Sequence, residues 1–417
     1  AESRIYGREH ELALLENAYR RICDPGHDSE VVFVKGFTGT GKSALVESLR
    51  NPVQVRDEEP YYVYGKFDLQ AKNVPFSALV NAFAEICEAI LQSDELDEMK
   101  DAITEALGND SKGMTSLISN LSIIISDGNE KGSAFSDQDV VPYSAPSSTR
   151  FRLICRAFLR AVATEKHPII FVLDDIHWAD TASVDIVKAL LTDTRSKHVL
   201  IILVCRSGEV KEDSPMETLL HLESNCKLTG EKCLVSTGID LGNLQIDTVN
   251  MIISNLTGSD LEVTLSLSKV VFRKTLGNVF FVFQFLDMLA SRRLLVFSLK
   301  NQNWEWDIEK IESETTVADN VGELIVSKIQ RLNQNVLEAL KVASCLGRSF
   351  NCTVLRKILA SELACQEGVE PNEASSEDSG EIIFKGSVDR MLEIASSEGM
   401  IENSVARYKF THDKVSV

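Results

Sequence analysis

Eight consecutive residues, Gly36-Phe37-Thr38-Gly39-Thr40-Gly41-Lys42-Ser43, have the types and the spacing to hold a polyphosphate. Glycines let a backbone wrap closely around phosphate oxygens and aim its N–H groups inward. A Lys at the seventh position brings a cation to the β- and γ-phosphates, and the Ser hydroxyl after it is a ligand for Mg²⁺. Thr38 and Thr40 are read as shaping the loop, and Ala44 follows in the helix that the loop opens. The plainer reading is a chance glycine-rich turn. It is disfavoured because an apolar run, VVFVKG, leads into the loop and a helical pattern, SALVESL, leaves it.

A phosphate loop of this kind needs a metal-anchoring acid on a neighbouring strand. Asp174 closes the apolar run IIFVLD and is assigned that part, holding Mg²⁺ through water. Asp175 follows, with two readings left open: a general base that polarises an attacking water, or a cap for the next helix. An Asp is shorter than a Glu, which suggests slow turnover. Arg206 ends the apolar run VLIILVCR on the same side of the expected sheet. It is either a sensor of the γ-phosphate or an ordinary strand-end cation. No NKxD guanine signature occurs, so the expected ligand is ATP with Mg²⁺.

These residues must be positioned by strands that alternate with helices. Strands are expected at 31–36, 61–68, 167–175 and 198–206, with a fifth in KCLVSTGIDL. Each is nearly all apolar, the signature of a parallel sheet covered on both faces. The fold class is therefore α/β: a P-loop NTPase parallel sheet with helices on both faces, then helices with a hairpin and a last part with a helix and a small β-wing. The expected domains are 1–242 for nucleotide binding, 243–316 for the helices with the hairpin, and 317–417 for the last part. Residues 92–149 read as an acidic, Ser-rich, irregular insert with a helical island near 114–125. Helices are expected at 244–256, 259–270 and 278–292, a hairpin over 294–308 with its turn at NQN, and an acidic solvated loop at 361–381.

Composition excludes some classes. The net charge of −19 repels polyphosphate backbones, so nucleic acid is an unlikely main partner. Nine Cys carry no metal-ligand spacing and read as free thiols of a reducing compartment. No apolar run approaches the about 18 residues of a membrane span, and a cytoplasmic protein is expected. The start at Ala1 and the stop at Val417 look cut, so a fragment of a longer chain is expected.

Taken in order, YGREHEL (6–12), GFTGTGKSALV (36–46), YGKFD and PFSALVNAF (64–83), IIFVLDDIHWAD (169–180) and LIILVCR (200–206) resemble the AAA-type ATPases of the signal-transduction class known as STAND. The nearest group is the origin-recognition-like AAA module of multidomain signalling proteins. The resemblance implies that Tyr6, Gly7 and Arg8 lie near the adenine and its sugar. It also implies a helical lid over 243–316, where Gly277-Asn278 matches the GNP motif with Val279 in place of the Pro, and a winged-helix-like region over 317–417, on the likeness of LKVASCLGRSF (340–350) and YKFTHDKV (408–415). A regulatory switch follows, with ATP and ADP as ligands and other domains or proteins as partners. The alternatives are a nucleotide-dependent oligomer working as an ATPase, with Arg195 as an arginine finger, and a DNA-binding loader. His177, Trp178, Trp304 and Trp306 read as packing residues, and His412-Asp413 as packing and capping.

Overall fold

This computed structural model describes residues 5–24, 27–50, 59–67, 76–93, 95–108, 115, 118–125, 148–207, 217, 219, 221, 235–315, 332–346, 349–366, 388–396, 400–404 and 407–410. The chain divides into two compact units, Ala1–Ile308 and Glu309–Val417. The His412-Asp413 pair lies outside the described residues.

The first unit is built on five strands: β1 (Glu30–Gly36), β2 (Tyr61–Lys66), β3 (Ile169–Asp174), β4 (Val199–Arg206) and β5 (Val235–Leu241). They lie in the order β2-β3-β4-β1-β5, and every pairing is parallel. Their sequences dictate two-sided burial. On β1, Val31 and Phe33 face one core while Val32 and Val34 face the other. On β3, Ile169, Phe171 and Leu173 alternate in the same way with Ile170 and Val172. Each such side chain contributes about 1.5–3 kcal/mol by leaving water, which explains why central strands carry almost no polar residue.

One face is covered by α1 (Glu9–Cys23) and α2 (Lys42–Ser48), through Leu15, Ala18, Tyr19, Ile22, Leu45 and Val46. The other is covered by α3 (Ser77–Leu91), α4 (Leu96–Leu107), α5 (Ser119–Ile125), α6 (Ser148–Val162) and α7 (Thr181–Leu191). The expected sheet with helices on both faces is therefore present. The insert differs from its reading as irregular at α4, which places Met99, Ile103 and Leu107 in the main core, while α5 lies in the expected helical island and adds Leu121 and Ile124. The acidic residues between these positions sit on the outer side of an amphipathic helix and hid its periodicity. Residues 126–147 of the insert lie outside the described residues.

Three more helices complete the unit: α8 (Ile246–Thr257), α9 (Leu261–Thr275) and α10 (Val279–Ser291). A hairpin of β6 (Leu295–Ser298) and β7 (Asn303–Trp306) follows. Its turn spans residues 299–302, slightly earlier than NQN, because Asn303 already pairs with Ser298. Trp304 pairs with Phe297 across the hairpin, with ring centroids 5.6 Å apart. These helices and the hairpin fall in the same compact unit as the sheet.

The second unit contains α11 (Gln334–Cys345) and α12 (Cys352–Gln366), a helical stretch at 388–396, and a small antiparallel sheet. That sheet has the order β8 (Ser349–Phe350), β10 (Arg407–Phe410), β9 (Ile401–Ser404). Val336, Leu340, Phe350, Leu355, Leu392 and Phe410 form its core. Residues 361–366, expected in a solvated loop, are the last turns of α12, and 367–381 lie outside the described residues. Among the described residues, no helix is long and apolar enough to cross a membrane.

Candidate functional site

Strand register brings the chemistry-bearing residues to one edge of the sheet. Gly36 at the end of β1 stands opposite Arg206 at the end of β4, and Lys66 at the end of β2 stands opposite Asp174 at the end of β3. This is the carboxyl edge of a parallel sheet, where ligands collect in folds of this type.

The loop from Gly36 turns directly into α2. Gly41 caps that helix at φ 91°, and Gly39 sits at φ 81°, both in the left-handed region that only glycine enters without strain. A Cβ at Gly41 would meet nothing within 4 Å, so the mouth of the helix is open. A Cβ at Gly39 would instead lie 2.6 Å from Asn278 Oδ1. Thr40 is buried and donates its hydroxyl to Phe37 O at 2.9 Å, a bond within the loop. Lys42 is also buried, and its Nζ donates to Gly36 O and Phe37 O, both at 3.0 Å. Burial pushes its ammonium below the ordinary lysine range, while Asp174 and Asp175 pull it upward.

Ser43 Oγ donates to Asp174 Oδ2 at 2.8 Å. The same oxygen accepts from the Tyr64 hydroxyl of β2, and the other carboxylate oxygen accepts from Asp175 N at 2.8 Å. Asp175 adopts a left-handed conformation at φ 52° just past the end of β3. There Lys66 Nζ lies 2.7 Å from Asp175 Oδ2, and Arg206 Nε lies 3.4 Å from Oδ1. His177 Nε2 lies 3.9 Å from that Oδ1, with its ring against Trp178. Asp180, at the end of the same motif, caps α7 by accepting from Ser183 N at 2.9 Å.

A cavity of about 430 Å³ opens beside the loop. Thr40, Gly41 and Ala44 form one wall, Ile5, Tyr6 and Arg8 a second, and Leu244, Ile252, Val279 and Phe283 a third. Arg8 is buried, and its guanidinium donates to Thr40 O, Gly242 O and Glu11 Oε1. Gly277 and Asn278 do not line the cavity. Asn278 Nδ2 donates to Thr38 O at 2.9 Å, and Phe280 N donates to Gly39 O at 3.1 Å. The segment read as a lid motif thus docks on the loop backbone, while Val279 contributes the apolar surface. Arg195 lies elsewhere, just before β4 at the opposite end of that strand, and is exposed. Sequence reasoning missed Lys66 and Tyr64. Both belong to YGKFD, but their relation to Asp174 depends on β2 lying next to β3, which no local pattern reveals.

Residues 4–202 match the family described as AAA ATPase domain. The matched segment is similar to that domain; it contains the loop, both acids and Lys66, and the match implies nucleotide binding. A hybrid signal transduction histidine kinase G of Dictyostelium discoideum is 28% identical over 84% of this chain. The chain spans 11% of that relative's length. A solved STAND protein with a tetratricopeptide repeat sensor, from Pyrococcus horikoshii, aligns with all of the chain and 42% of its own, at 15% identity and a TM-score of 0.43. Cdc6p from Pyrobaculum aerophilum aligns with 99% of the chain and 92% of its own, at 12% identity and a TM-score of 0.41.

Proposed function

We propose that this chain is an ATP-binding regulatory module of a larger signalling protein, a switch between ATP- and ADP-bound forms that is reset by slow hydrolysis to ADP and phosphate. One observation carries the reading: the Ser43–Asp174 hydrogen bond joins the glycine loop to the acidic strand end, and the same loop forms a wall of an open cavity through Gly41 and Ala44.

The residues present fit the nucleotide and its metal. The open helix mouth at Gly41 suits phosphate, which gains from the unpaired N–H groups and the dipole there. Ser43 and Asp174 offer two oxygen donors of the kind that Mg²⁺ takes, directly or through water. A metal held by Ser43 and Asp174 would supply positive charge to offset the negative charge of the phosphates. Lys42 is assigned to the β- and γ-phosphates, and Arg206 to the γ-phosphate. The apolar wall of Ile5, Leu244, Val279 and Phe283, with Tyr6, is the place for the base. Asp175 is the candidate base for the attacking water. Its carboxylate is ion-paired with Lys66 and lies near Arg206, so it is already engaged by two cations. That supports slow turnover, as a switch requires.

The test is equilibrium binding of a fluorescent ATP analogue with and without Mg²⁺, alongside phosphate release. Binding in the micromolar range, strengthened by Mg²⁺, with the strengthening lost in Asp174→Ala, is the expected result. Rapid multiple-turnover hydrolysis would sink the switch, and failure to bind either ATP or ADP would sink the whole reading.

A further inference from the structure

We propose that Lys66 is a third cation for the γ-phosphate beside Lys42 and Arg206, supplied in cis from β2, and that it sets the preference of this site for ATP over ADP. The inference rests on the ATP-binding reading given above.

The placement of Lys66 is built into the sheet. Its residue pairs with Asp174 in the β2–β3 register, and Phe67 N donates to Asp174 O at 3.0 Å, which extends the ladder past it. Its side chain is mostly buried, and its Nζ lies 2.7 Å from Asp175 Oδ2 and 3.8 Å from Asp174 Oδ2. That second oxygen is the one that accepts from Ser43, so Lys66 stands one residue contact away from the loop. Lys42, Lys66 and Arg206 set three cations against the carboxylates of Asp174 and Asp175 at this edge. The cluster is complementary to an added anion.

A lysine ammonium has three donors on a flexible stem, so it can hold Asp175 and a second anion together. The terminal phosphoryl group is what ATP has and ADP lacks. A cation next to the metal-anchoring and water-polarising acids therefore interacts with one nucleotide more than the other. Differential binding of this kind is what moves a two-state equilibrium. Charge at the γ-phosphate then comes from within the chain, and discrimination needs no neighbouring subunit.

The experiment compares dissociation constants of ATP and ADP, each with Mg²⁺, for the 417-residue chain and for its Lys66→Met and Lys66→Arg variants. Loss of a charge-assisted bond to phosphate weakens ATP binding roughly ten- to hundredfold in Lys66→Met. ADP binding stays within about twofold, and Lys66→Arg keeps most of the preference. Equal loss for both nucleotides, or no loss, overturns the proposal. A wild-type chain that binds neither nucleotide removes the underlying reading instead. An independent measurement needs no variant: acetylation of Lys66 by an amine-reactive ester, followed by mass spectrometry. ATP protects Lys66 more than ADP does; equal protection overturns the proposal.

Discussion

Asn278 Nδ2 donates to Thr38 O at 2.9 Å, while its Oδ1 accepts from Phe281 N at 3.4 Å. One side chain therefore caps α10 and ties that helix to the glycine loop. Asn278→Ala removes both contacts. The expected cost is about 1–2 kcal/mol of stability, together with faster release of bound nucleotide. Denaturant melts and stopped-flow release of a fluorescent ADP check this. A variant as stable and as slow to release as wild type would show that the tie is incidental.

Asp175→Asn separates binding from turnover. Nucleotide binding is retained, because the change removes a negative charge that faces Lys66 and Arg206. Hydrolysis falls by about a hundredfold or more if Asp175 polarises the water. Single-turnover phosphate release decides the matter: a wild-type rate in the variant would assign Asp175 to structure alone.

Asp193 offers a stability test away from the site. It is buried, and its carboxylate accepts from Arg160 Nε at 2.8 Å and Ser196 Oγ at 2.9 Å. Burial alone would push this carboxyl up, but those bonds and the Arg160 charge hold it below its ordinary value of 3.8. Its contribution is therefore present above that value and lost as pH falls through the lower folded value. Asp193→Asn is expected to cost about 2–4 kcal/mol near neutrality, and the difference from wild type should shrink in acid. Urea melts at pH 7 and pH 3 measure both quantities.

The cysteines differ in chemistry. Cys345 is exposed, whereas Cys87, Cys155 and Cys205 are buried. Burial pushes the Cys87 thiol up to about 12 and the Cys205 thiol up to about 11, and raises Cys155 as well. Thiolate is the reactive form. Brief alkylation of the native chain at pH 8, read by mass spectrometry, should modify Cys345 well before those three. Early labelling of Cys205 would mean that β4 opens locally.

Local features of the site were legible in the sequence. The loop is contiguous, and the strand that enters it and the helix that leaves it are marked by neighbouring residues. Asp174 and Arg206 could be placed because each ends an unbroken apolar run. Relations that depend on strand order could not be read. Lys66 meets the acid pair because β2 lies beside β3. Arg8 was expected near the adenine, and it does line the cavity, but it donates to carbonyls of the loop and of Gly242, contacts that only the folded chain brings together. Helix α4 was obscured because its outer face is acidic, and an overall polarity count outweighed the spacing of Leu96, Met99, Ile103 and Leu107.

The cavity has one further property. Its walls come from three stretches, 5–8, 40–50 and 244–283, that are far apart along the chain. A molecule lodged there touches all three and leaves the unfolded chain with nothing equivalent to grip. Occupancy would act as a clasp, raising the melting temperature with the logarithm of ligand concentration. The midpoint of unfolding would then report how full the site is, without any need to follow chemistry.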